Sequence, residues 1–172
     1  CILLAGGRLK MAKVYLALYK GRKTIKTPKD LAFRIIEWVI RKVTGGQYSH
    51  CEIAVSVVFS DGLFDCYSSS FRDGGVRCKR MPLPAEKWDL IALDNQQIVM
   101  ERLFSLWRCT KGKRYDLLGV LCVTSFFRRV LRQSADKWFC SEWCGEVMGV
   151  TEPSLRSPVD LAELSQGKRK AV

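Results

Sequence analysis

Apolar and β-branched side chains alternate loosely along KVYLALYK, Lys13 to Lys20, and a basic, glycine-containing turn follows, so a first strand is expected there. The next stretch, TPKDLAFRIIEWVIRKV, changes period. Thr27 stands at an N-cap position, Pro28 at the first helical position, and Leu31, Ile35, Ile36, Val39 and Ile40 recur at helical spacing, which predicts an amphipathic helix ended by Gly45 and Gly46. Tyr48 to Phe59 is strongly β-forming. SDG turns it into LFDCYSSS, and DGG at 73–75 turns that strand into VRCKRMPL; KWDLIAL follows. Four consecutive segments from Tyr48 to Leu93 therefore read as an antiparallel meander.

From Asp94 the apolar period moves from two to 3.6 residues. NQQIVMERLFSLWRCT and DLLGVLCVTSFFRRVLRQ carry helical stripes, SADKWFCSEWCGEVMGV reads as a third helix of this half and SPVDLAELSQ as a short fourth, with GKRKAV a basic tail. Strands before helices argue an α+β fold, an antiparallel sheet packed against helices, rather than a parallel α/β sheet. No repeat or low-complexity linker divides the chain. Residues 11–166 are expected to form one domain and 167–172 a tail. Residues 1–10 precede Met11, where the sequence becomes ordinary, and read as a leader-derived or non-native extension; the rival reading makes Cys1 the lipidated end of a mature lipoprotein.

Composition sharpens this picture at two points. The chain has 172 residues, enough for one core, and its Lys+Arg 29 against Asp+Glu 17 gives a formal charge of +12, a surface suited to anionic partners such as nucleic acid, acidic headgroups or cell-wall polymer. Eight cysteines are scattered through apolar runs rather than in paired spacing, so most read as reduced and structural. The longest apolar run, Leu117 to Phe127, is short of the ~20 residues a spanning helix needs, so no transmembrane segment is expected, and no export signal opens the chain.

Chemistry narrows to few residues, because His50 is the single histidine. It begins a strong strand directly after a polar turn, and strand alternation sends the adjacent Cys51 to the other face. Among the thiols, Cys66 and Cys78 fall in strands, Cys109 at a helix end where the dipole disfavours a thiolate, and Cys122 deep in an apolar helix. Cys140 falls in the first turn of its helix, where unpaired N–H groups and the positive dipole end favour S⁻ and could hold an oxyanion. Two other readings stand beside the nucleophile: a small hydrophobe packed among Trp138, Phe139 and Trp143, and a zinc ligand with Cys144 and His50, although Cys-x-x-Cys spacing is missing.

Taken in order, YSHCEIAV, LFDCYSSSFRDGGVRCKRMPL, GKRYDLLGVL, WFCSEWCGEV and SPVDLAELS resemble the circularly permuted papain-fold enzymes of the NlpC-type superfamily, the YiiX-like group, over about Tyr48 to Leu164. The resemblance implies a papain-like fold in which the His strand precedes the Cys helix. It places the nucleophile on Cys140, the general base on His50, and the group that orients the imidazole on Asp65 of the next strand, with Ser68 a second candidate. Tyr115 would line the pocket, Tyr48 and Ser141 would lie on the substrate side, and Asp116 and Glu142 have structural readings at helix starts. The activity implied is a cysteine peptidase or amidase without cofactor or metal, cutting an amide-type bond, foremost in bacterial cell-wall peptide. A lipid or acyl (thio)esterase or amidase of the same fold is the alternative. A non-catalytic basic binding protein or a virion-associated protein of a bacterial virus is a third reading, with residence in the bacterial cytoplasm or virion. No nucleic-acid fingerprint accompanies the charge.

Overall fold

The computed structural model describes residues 2–5, 8–22, 24–25, 27–58, 60, 62–116 and 136–167. Two short strands, β1 (Ile2–Ala5) and β2 (Arg8–Met11), form an antiparallel ribbon of their own. The main sheet has seven strands: β3 (Val14–Tyr19), β4 (His50–Ser56), β5 (Leu63–Ser70), β6 (Gly75–Pro82), β7 (Trp88–Ala92), β8 (Arg114–Tyr115) and β9 (Lys137–Trp138). Their order across the sheet is β7-β3-β4-β5-β6-β8-β9. Four α-helices are described: α1 (Pro28–Thr44), α2 (Gln96–Thr110), α3 (Cys140–Met148) and α4 (Pro158–Ser165). The fold is mixed, a largely antiparallel sheet with helices packed on it.

Local signals produced α1 as the sequence predicts. Thr27 and Asp30 form a reciprocal capping box, Pro28 occupies the first turn, and Gly45 closes the helix at φ 65°. The same box recurs at α4, between Ser157 and Asp160. The expected meander holds for β4, β5 and β6 but not for its fourth member. β7 crosses to the far edge and pairs antiparallel with β3, Trp88 opposite Tyr19 and Ala92 opposite Tyr15. Pairing with β3 covers an otherwise bare edge, and Lys87 O accepts from the N–H groups of Lys20 and Gly21. Lys137 and Trp138, expected in a helix, instead form β9, parallel to β8, and the helix begins at Cys140. The helix expected from Asp116 to Gln133 and the basic tail lie outside the described residues, apart from Asp116 and Gly167.

Alternation gives the sheet two unlike faces. Val14, Leu16 and Leu18 of β3 stand beside Val55, Ile53 and Cys51 of β4, and this face packs on Val99 and Leu103 of α2, Trp143, Cys144 and Val147 of α3 and Leu161 of α4. The opposite face carries Tyr19, His50, Glu52, Cys66, Arg77 and Trp88, and α1 lies over part of it, lining a cavity with all of these but Cys66. Gly75 lets β8 approach: a Cβ there would lie 1.9 Å from the carbonyl oxygen of Lys113.

Candidate active site

The start of β4 and the start of α3 meet. Phe139, extended at φ −109° and ψ 166°, leads into α3 with no side-chain cap, so Cys140 occupies the first position of a helix with uncapped N–H groups. The segment before it is pinned: Ser69 Oγ donates to Trp138 O at 2.7 Å and Asp116 N to the same oxygen at 2.9 Å. One turn further on, Trp143 is fully buried and donates from Nε1 to Thr110 Oγ1 at 2.9 Å. These bonds fix where the Cys140 sulfur stands.

Four groups reach that sulfur. The Cys51 thiol and backbone N–H, the His50 imidazole and the Tyr115 hydroxyl are the neighbours that interact with it. Cys51 faces the helices, as alternation requires, so it serves Cys140 rather than His50. Hydrogen bonding from Cys51 leads in holding the Cys140 thiol well below its ordinary value; burial opposes this, and the His50 charge and hydrogen bond add to the lowering. Burial pushes the Tyr115 phenol up, and the neighbouring sulfur pushes it further.

His50 Nε2 lies 3.1 Å from Glu52 Oε1, which leaves Nδ1 for the sulfur. Burial alone would depress the imidazolium, yet the Cys140 thiolate and Glu52 outweigh it and raise the group to about 10. Glu52 is buried, at 1% exposure, and is held twice by Arg77, Nη2 to Oε1 at 2.7 Å and Nη1 to Oε2 at 2.9 Å. Burial would raise this carboxyl, but His50 and Arg77 together hold it at about 2. Arg77 in turn donates from Nε to Asp73 Oδ2 at 2.8 Å. The hydrogen-bonded chain Asp73–Arg77–Glu52–His50 places its charge beside the sulfur, and the coupling of the two favours a thiolate–imidazolium pair.

The structure brings together Cys140, His50 and Tyr115 of the residues chosen from sequence, and it corrects the third member. Asp65 sits opposite Val55, on the helix-packed face, while His50 and Glu52 are on the other. Its carboxylate is taken by Arg80, at 2.7 and 2.8 Å. The imidazole's carboxylate is Glu52, two residues along the same strand, where alternation by itself puts it on the face of His50. Ser68 shares that face, but its hydroxyl donates to Cys51 O at 2.7 Å. Tyr48 is likewise engaged, donating to Asp89 Oδ2 at 2.9 Å, and is not among the residues lining the cavity. Ser141 is buried in a narrow cleft with Ile40, Thr44, Phe139, Cys140, Ser157 and Pro158.

No family model matches the chain, and no curated protein matches its sequence. The site therefore rests on its geometry.

A cavity of about 200 Å³ opens on the His50 side. Tyr115, His50 and Glu52 form its floor; Phe33, Ile36 and Ile40 of α1, with Phe71, Met81 and Trp88, give it apolar walls. Arg72 stacks over the Phe33 ring at 5.3 Å and pairs with the buried Glu37. Ile40 borders both this cavity and the cleft at Cys140, so it stands between them. Among the described residues no group of His, Cys, Asp or Glu is arranged to hold a metal ion, and no described helix is long and apolar enough to cross a membrane.

Proposed function

We propose that the protein is a cysteine hydrolase with Cys140 as nucleophile, His50 as proton carrier and Glu52 as the residue that positions the imidazole. The observation that carries this is the hydrogen bond from buried Glu52 to His50, whose imidazole is electrostatically coupled to a buried sulfur at an uncapped helix start. Strand-borne His before helix-borne Cys agrees with a permuted papain-like arrangement of the NlpC type, which is part of the proposal.

In the acylation step the Cys140 thiolate attacks a substrate carbonyl carbon, a C–S bond forms, and the carbonyl π pair moves to oxygen. The oxyanion is met by backbone N–H groups at the start of α3 and by the Tyr115 hydroxyl. Collapse breaks the bond to the leaving nitrogen or oxygen, which takes the proton from His50 Nδ1. Water, deprotonated by the now neutral His50, then attacks the thioester, and the C–S bond breaks to release the acid and restore the thiolate.

The leading substrate is an amide-type bond, with bacterial cell-wall peptide as the first polymer to test, since a +12 chain suits an anionic wall. The apolar cavity walls favour a second reading, a substrate with an acyl chain. Purified chain and its Cys140→Ser variant, offered muropeptides and fatty-acyl esters and thioesters, decide between them. Hydrolysis by the first and not the second, with an acyl adduct on Cys140 in intact-mass spectra, supports the proposal. Equal turnover by both overturns it.

A further inference from the structure

The apolar arc of α1 is wider than the sheet beneath it. Phe33, Ile36 and Ile40 turn inward to the cavity, whereas Leu31, Ile35 and Trp38, at i, i+4 and i+7, form a second stripe that is 48%, 54% and 61% exposed. Ile25, just before the helix, adds another apolar side chain at 48% exposure. Leu31, Ile35 and Trp38 on successive turns of one face are a contiguous stripe rather than scattered surface residues.

The exposed charges described on and just before α1 are basic, Arg22 ahead of the helix and Lys42 one turn beyond Trp38, and the sequence there also carries Lys23, Lys26 and Lys29. Both acids of the helix are engaged elsewhere: Asp30 in the capping box with Thr27, and Glu37, buried, with Arg72. An apolar stripe ending in tryptophan and edged by basic residues matches a helix that lies in the interface of an anionic bilayer. A protein partner would also cover the apolar stripe, but exposed Arg22 and Lys42 beside it within a +12 chain favour anionic headgroups.

We infer that the outer face of α1, through Leu31, Ile35 and Trp38 with the exposed Arg22 and Lys42, docks the protein on an anionic lipid surface. Docking there goes beyond the hydrolase reading and does not depend on it, since none of these side chains touches Cys140 or His50. It would also bring the cavity on the inner side of the same helix close to the lipid.

The test is co-sedimentation of the full chain with vesicles of phosphatidylcholine alone and of phosphatidylcholine with phosphatidylglycerol. Binding to the anionic vesicles at least tenfold tighter than to the neutral ones is expected, weakening as salt rises. Leu31→Ser/Ile35→Ser/Trp38→Ser should lose at least tenfold of it with an unchanged circular dichroism spectrum. Trp38→Phe supplies a milder check: it should remove the blue-shifted, bromolipid-quenched part of the fluorescence while binding persists. Cys140→Ser should bind as the parent does, which separates this inference from the catalytic one. Absence of sedimentation, or undiminished binding by the triple variant, overturns it. So does a dimer in sedimentation velocity that the triple variant abolishes, because the stripe would then serve a second copy.

Discussion

The Glu52 carboxylate reaches the His50 imidazole, Oε1 to Nε2 at 3.1 Å, from two residues further along the same strand, while Arg77 grips both its oxygens. The consequence is a carboxylate that stays ionised and an imidazole held in one orientation. Glu52→Gln should lower the pH at which His50 loses its proton, reduce kcat more than it changes KM, and destabilise the fold by about 3 kcal/mol, because Arg77 is left with a buried unmatched charge. Asp65→Asn, which touches only the exposed Arg80 pair, should leave kcat unchanged. Kinetics and urea unfolding of the two variants side by side check this.

The thiolate–imidazolium pair sets a wide pH window. With Cys140 held below its ordinary value and His50 raised to about 10, alkylation of Cys140 by iodoacetamide should remain fast through neutrality and into mildly acidic solution. kcat/KM should run flat above neutrality and fall as pH approaches 10. His50→Gln should move the onset of alkylation to higher pH but not all the way to that of an ordinary thiol, because the leading contribution of Cys51 remains.

Tyr115 lines the cavity, interacts with the Cys140 sulfur, and in the proposed mechanism donates to the oxyanion. Tyr115→Phe should cut kcat by on the order of 10²-fold with little change in KM, the size expected for one lost oxyanion donor. A rise in KM alone would make Tyr115 a wall residue rather than a donor.

Two kinds of information differed in how far the sequence disclosed them. The ends of α1 were readable because Thr27, Pro28 and Gly45 act within one turn of themselves, and the β4–β5–β6 hairpins because SDG and DGG are local turn signals. The place of β7 was not: Trp88 beside Tyr19 is settled by which edge lacks a partner, a property of the whole sheet. Cys140 and His50 were legible from a helix start and a lone histidine. Glu52 is within reach of the same reasoning, since an acid two positions after the histidine in a β run must share its face, whereas the family resemblance points to Asp65 on the next strand. Arg77 needed the register of β4, β5 and β6 together, which no local pattern carries.

Acid stability should follow Glu52. Its folded value of about 2 lies below the ordinary 4.5, so its contribution is complete above 4.5 and is lost as pH falls toward 2. Glu142 has the opposite sign: burial raises it to about 7, so stability associated with its protonated form is complete below 4.5 and declines as pH rises through 7. Glu142→Gln should flatten the decline between those values and leave the fall below 4.5 intact. Thermal melts of both proteins from pH 3 to about pH 8 measure it.

The histidine strand lies near the middle of the main sheet, whereas the helix bearing the sulfur follows long afterwards and is tied down by Trp138 and Trp143. The imidazole is thus held by a strand that the sheet alone fixes, whereas the sulfur comes to it only through the packing of a helix encoded much later. Under the proposed mechanism, a polypeptide cut between β7 and α3 keeps its proton carrier and has no nucleophile.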